Sequence, residues 1–111
     1  MKAYTSLEQS QKLAEILPIK SADLMWEYEP NKDTYLDKPT MIPIESYIFI
    51  NDIPCWSLAA LLNITCMVVG RVVDLDIWIC ASHKLNLSLY ADNPIDACYE
   101  MILNLHEQNI L

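Results

Sequence analysis

A chain of 111 residues with 53% hydrophobic residues can bury one core without disulfide or metal support, so a single domain over 1–111 is expected. Its longest apolar run, "LAALLNITCMVVG", is broken by Asn63 and Thr65 and is shorter than the ~20 apolar residues of a membrane helix. The N-terminus meets Glu8 and Glu15 before any apolar stretch, unlike a secretory signal, which points to a cytoplasmic protein with no membrane association.

The fifteen Asp and Glu against seven Lys and Arg give a formal charge of -8. The cations are scattered, which argues against direct nucleic-acid binding; after Lys84 there are none, while Asp92, Asp96, Glu100 and Glu107 follow. That end of the chain suits a cationic partner, although solubility alone is the commoner reason for such a surface.

In chain order, residues 6–17 read as a helix: Ser6 and Gln9 stand at capping-box spacing, Leu7, Leu13, Ile16 and Leu17 share a face, and Pro18 stops it. "SADLMWEYEP" alternates Leu24, Trp26 and Tyr28 against Met25, Glu27 and Glu29, the pattern of a half-buried strand. Residues 31–43 hold Asn, two Asp and two Pro and read as a long exposed loop, the first place to look for a ligand cover. Ile44 to Ile50 is aromatic and β-branched, a strand; Asp52 is placed to cap a following helix over 55–64 that is apolar almost all round.

"CMVVGRVVD" is open between a strand, for its valines, and a turn or bulge at Gly70, the only glycine. The sheet expectation centres on residues 73–90. Val73, Leu75, Ile77 and Ile79 alternate with Asp74, Asp76, Trp78 and Cys80, and Leu85, Leu87 and Leu89 alternate with Asn86, Ser88 and Tyr90. "ASHK" between them fits a hairpin turn. Residues 94–108 form the last helix: Asn93 caps it, Pro94 fits its first position, and Asp96 lies near the positive end of the dipole. Ile95, Cys98, Tyr99, Ile102 and Leu105 face inward, with Asp96, Glu100, Asn104 and Glu107 outward.

The order of elements defines an α+β two-layer domain, its antiparallel sheet (hairpin 73–90) packed by helices 6–17, 55–64 and 94–108. One glycine cannot build a phosphate-cradling loop, which disfavours a dinucleotide fold.

Few residues carry chemistry. Asp74 and Asp76 share a strand face beside Trp78, where they could ligate a hard divalent cation or divide acid and base roles in a small hydrolase; two acids at this spacing are more often the wet side of a sheet. His83 follows Cys80 at Cys-x-x-His spacing without a second pair, and His106 reads as a boundary residue of the last helix. Cys98 and Cys55 lie near helix starts, where a thiolate is stabilised, but in apolar surroundings that favour inert buried thiols, as for Cys66 and Cys80. No sequence signature of a known catalytic motif is present, and no cofactor is expected.

If Leu75, Ile77 and Ile79 face the helices, Trp78 and Tyr90 form a patch on the other side of the hairpin, with Trp26 and Tyr28 alongside if their strand is adjacent. These aromatics, and the acids Asp96, Glu100 and Glu107, are the candidate surface for a protein partner or a homodimer. A non-enzymatic interaction module is the leading expectation, ahead of the Asp74/Asp76 hydrolase and of an acidic decoy that imitates phosphates for a DNA-binding protein.

At "SLEQSQKLAEILPIKSAD", "CWSLAALLNI" and "NPIDACYEMILNLHEQNIL" the chain resembles a group of small uncharacterised proteins from Bacteroides-type gut bacteria and their prophages or mobile elements. The resemblance implies a bacterial or phage setting and assigns no activity, cofactor or site residue.

Overall fold

The computed structural model describes residues 2–41, 52–64, 67–72, 75–82 and 86–111. The strand expected at 44–50, with Cys66, Asp74 and His83, lies outside them.

Helix α1 is Leu7–Ala14, opened by the capping box: Ser6 Oγ accepts from the Gln9 amide and Gln9 Oε1 from the Ser6 amide. It is shorter than the expected 6–17 because Ile16 and Leu17 fold into a closing turn bonded back to the Leu13 carbonyl, which still buries Leu17. Strand β1 is Leu24–Trp26 and β2 Tyr28–Glu29. The loop expected at 31–43 is less open over its described part, residues 31–41. Pro30–Asp33 turn the chain, with Asp33 at φ 50°, so that β3 (Thr34–Tyr35) pairs with β2, and β4 (Thr40–Met41) pairs with β1.

The helix expected at 55–64 is corrected to α2, Leu58–Leu62, because Ile53–Cys55 form strand β5 against β1. Asp52 does not cap it; its carboxylate accepts from the Tyr28 amide at 2.9 Å. Ser57 is the cap, its hydroxyl accepting from the Ala60 amide at 3.3 Å. Pro54 is tolerated in a short edge strand, where a missing N–H removes no ladder bond that the sheet needs.

The second sheet is an antiparallel meander of β6 (Met67–Arg71), β7 (Trp78–Ser82) and β8 (Leu87–Ala91), with β7 central. The open question at 66–74 resolves to strand over Met67–Arg71, and Gly70 pairs regularly with Ile79, at negative φ and without a bulge. The expected hairpin 73–90 is correspondingly shorter. Residues 75–76 bend, the Val72 amide donates to the Ile77 carbonyl, and Leu75 is 53% exposed. Ala81 and Ser82, expected in the turn, continue β7.

Helix α3, Pro94–Glu107, crosses one face of this meander and packs on α2. The Asn93 side chain accepts from the Asp96 amide at 2.9 Å, and Pro94 gives up no hydrogen bond in the first turn. Ile95, Ala97, Cys98, Met101, Ile102 and Leu105 are completely buried. Each of the large aliphatic side chains among them contributes about 1.5–3 kcal/mol on removal from water. Together with Leu13, Leu17, Trp56 and Leu61 they form one core joining all three helices to the meander, an α+β domain of antiparallel sheets packed against helices.

A buried polar cluster anchors the N-terminal segment. Thr5 Oγ1 lies 2.7 Å from Ser10 Oγ and accepts from the Trp56 amide at 3.1 Å, and the Trp26 indole donates to Ser10 Oγ at 3.2 Å. These partners satisfy hydroxyls that would otherwise be costly to bury.

Candidate functional site

The faces of the meander follow from Cys80, which is completely buried and paired with Val69 on one side and Leu89 on the other. Alternation then puts Met67, Val69, Arg71, Trp78, Cys80, Ser82, Leu87, Leu89 and Ala91 on the same face as Cys80, the one α3 crosses. The opposite face carries Val68, Ala81 and Ser88 in one row across the strands, and Gly70, Ile79 and Tyr90 in the next.

This face corrects the expected patch. Tyr90 is on it, 63% exposed, as the alternation in β8 predicted; Trp78 is on the other side of the sheet, half-buried, and the residue paired with Tyr90 is Ile79, which had been expected to face the helices. The parity of β7 was not legible because Trp78, Ile79 and Cys80 are consecutive apolar residues, and the bend at 75–76 disconnects them from the alternation upstream. Reading Cys80 as the core residue, and pairing it with Leu89, is the signal that would have set the parity.

Nothing among the described residues covers the outer face over β6 at Gly70. A Cβ built on Gly70 meets no heavy atom within 4 Å, and Val68 is 59% exposed. Gly70 therefore leaves a shallow notch bordered by Ile79. None of the six side-chain positions is charged, in a chain whose net charge is -8.

The other expected surface residues are dispersed. Trp26 is buried, stacked edge-on with Tyr4 at 5.9 Å, and leaves the candidate surface. Tyr28 belongs to the β2–β3 hairpin, packs edge-on against Tyr35 at 5.4 Å, and its hydroxyl bonds Asp33, which raises its pKa. It is not beside the meander's outer face, since β1 and β2 belong to separate sheets from it. Asp96 is engaged rather than free: Lys2 Nζ and Gln9 Nε2 each donate to its Oδ1 at 2.8 Å and Asn93 Nδ2 to its Oδ2 at 2.8 Å. Burial pushes that carboxyl up, but these bonds and the Lys2 charge outweigh it and hold it below its ordinary value. Glu100 and Glu107 are exposed on α3, as expected from its outward face.

Trp78 and Asp76 meet in a second feature, an open groove also lined by Lys2, Arg71, Asp92 and Asn93. Asp76 is bonded to Arg71, a partner the sequence reading missed. Asp74, its proposed co-ligand, lies outside the described residues, among which no three His, Cys, Asp or Glu side chains gather as a metal site. His106 is exposed. Cys55, in β5 and not at a helix start, is completely buried, and burial pushes its thiol up. Cys98 is completely buried too; the neighbouring Cys80 thiol, reinforced by burial, pushes its own thiol far up.

The described residues thus define an α+β domain that covers one side of a three-stranded sheet with a helix and presents the other as an open neutral face. No protein-family model, curated protein or solved structure matches the chain.

Proposed function

We propose that the chain is a protein–protein interaction module whose contact surface is the outer face of β6, β7 and β8. The observation that carries this reading is the neutrality of that face. Acids occupy much of the surface elsewhere, whereas here Val68, Ile79 and Tyr90 surround an empty position at Gly70. Exposed aromatic and aliphatic side chains without charge are what the centre of a protein interface requires, because charges there would have to be desolvated. The notch suits an apolar side chain of a partner as an anchor.

A photo-crosslinking amino acid placed at Val68 or Tyr90, in the cell that makes the protein, tests this reading. Crosslinked protein adducts are expected from these two positions and not from Lys12 or Glu107, which are exposed elsewhere. Equal yields at all four positions, or no adduct at Val68 and Tyr90, would refute it.

A further inference from the structure

We propose that two copies of the chain pair through β8, edge to edge and antiparallel, to make one continuous six-stranded sheet. The inference rests on the reading of this sheet as the contact element and names a second copy as the occupant of its edge. Strand β8 pairs with β7 on one side only, and none of the described residues bonds the backbone groups on its other side. Exposed edges usually carry a charge, a proline or a bulge that discourages pairing. Leu87–Ala91, "LSLYA", has none of these and pairs with β7 in unbroken register.

What selects a second copy is self-complementarity. An antiparallel pair centred on Leu89 sets Leu89 against Leu89, Leu87 against Ala91 and Ser88 against Tyr90. Residues of like parity meet, so the backbone groups that β7 leaves free on one copy face those left free on the other. Apolar side chains continue the face under α3, and Tyr90 meets a small hydroxyl side chain on the outer face. No like charges are opposed; beyond the strand, the Asn86 amide meets the Asp92 carboxylate. The opposite edge is less suited, since the same operation about Val69 on β6 would oppose Arg71 to Met67.

The two-fold axis is perpendicular to the sheet, so both α3 helices lie on one side and the two neutral faces merge on the other. Because each copy carries -8, pairing works against mutual repulsion and strengthens with added salt, the opposite of an association driven by a cationic partner.

Sedimentation equilibrium of the full chain, over a wide concentration range at low and high salt, tests the pairing. A monomer–dimer equilibrium that tightens with salt is expected. Ser88→Lys with Tyr90→Lys, and separately Ser88→Glu with Tyr90→Glu, place like charges opposite each other and should each give monomers. Mixing the two variants should restore a dimer, because lysine then meets glutamate in the stated register. Ser88 and Tyr90 are both exposed, so folding of the variants is checked by their tryptophan fluorescence. If a variant fails to fold, amide exchange on the wild type decides: protection within 87–91 must rise with concentration. A wild type that stays monomeric throughout, dimers that persist in both doubly charged variants, or a mixture that remains monomeric overturns the proposal. Crosslinks from Val68 and Tyr90 to a different protein would then leave the interaction reading standing, whereas their absence would end that reading and leave the dimer result untouched.

Discussion

Gly70→Val is the most direct probe of the open sheet face. On a covered sheet face a new side chain would collide with its cover and cost about 1–3 kcal/mol by overpacking. Among the described residues there is no such cover at Gly70: its φ is negative and an added Cβ finds none of their heavy atoms within 4 Å. Removing the freedom that glycine has in the unfolded chain stabilises by about 0.4–1 kcal/mol. A β-branched side chain beside Ile79 in the pair Gly70–Ile79 adds about 0.2–1 kcal/mol as a cross-strand contact. The substitution is therefore expected to raise stability by roughly 1 kcal/mol, or about 4 °C in the melting midpoint of a domain this size. Urea unfolding at one fixed low protein concentration, followed by tryptophan fluorescence, measures it; the midpoint should rise with the slope unchanged. Since valine also fills the notch, crosslinking from Tyr90 should fall in the same variant. A lower unfolding midpoint would mean that something occupies the space above Gly70, and the argument for a free contact face would fail.

The buried hydroxyl cluster makes a second prediction. Thr5→Val keeps the shape but leaves the Trp56 amide without its acceptor, and should cost about 1–3 kcal/mol in urea, while Thr5→Ser stays close to wild type. Acid should act through Asp96: its carboxyl is held below its unfolded value, so its contribution is fully present above the ordinary carboxylate range near pH 4 and disappears as pH falls through the lowered folded value. Asp96→Asn should flatten that part of the stability–pH curve; an unchanged curve would show that the contacts of Lys2 and Gln9 with Asp96 are without consequence. Asn93→Ala, which removes the α3 cap, should cost about 1 kcal/mol in the same urea assay. In a Cys66→Ser variant, Ellman's reagent should label Cys55, Cys80 and Cys98 only at the rate at which the native core opens, since all three are completely buried and free; rapid labelling of that folded variant would contradict their burial.

Much of the architecture was legible where local chemistry and burial agree. The caps of α1 and α3 involve side chains three residues from their partners, so Ser6, Gln9, Asn93 and Asp96 announce them without tertiary information. The inward stripe of α3 likewise follows from helical spacing, because the helix has one face to bury. The second helix was misplaced because "IPCWSLAALL" is apolar through both β5 and α2, and hydrophobicity alone does not separate a buried strand from a buried helix.

The candidate site divides along the same line. Leucines alternating with Ser88 and Tyr90 were enough to orient β8, since only one of its faces is greasy. In β7 both faces are apolar, and a strand with that pattern takes its orientation from the neighbours it pairs with. Sequence by itself determined the α+β class, the caps of α1 and α3 and the exposure of Tyr90, because each depends on contacts a few residues long or on a single apolar side. Only the tertiary structure decided that Ile79 accompanies Tyr90 while Trp78 turns away, because the strand registers of Cys80 with Val69 and Leu89 are contacts between distant segments, and a shift of one residue exchanges the two faces of a strand.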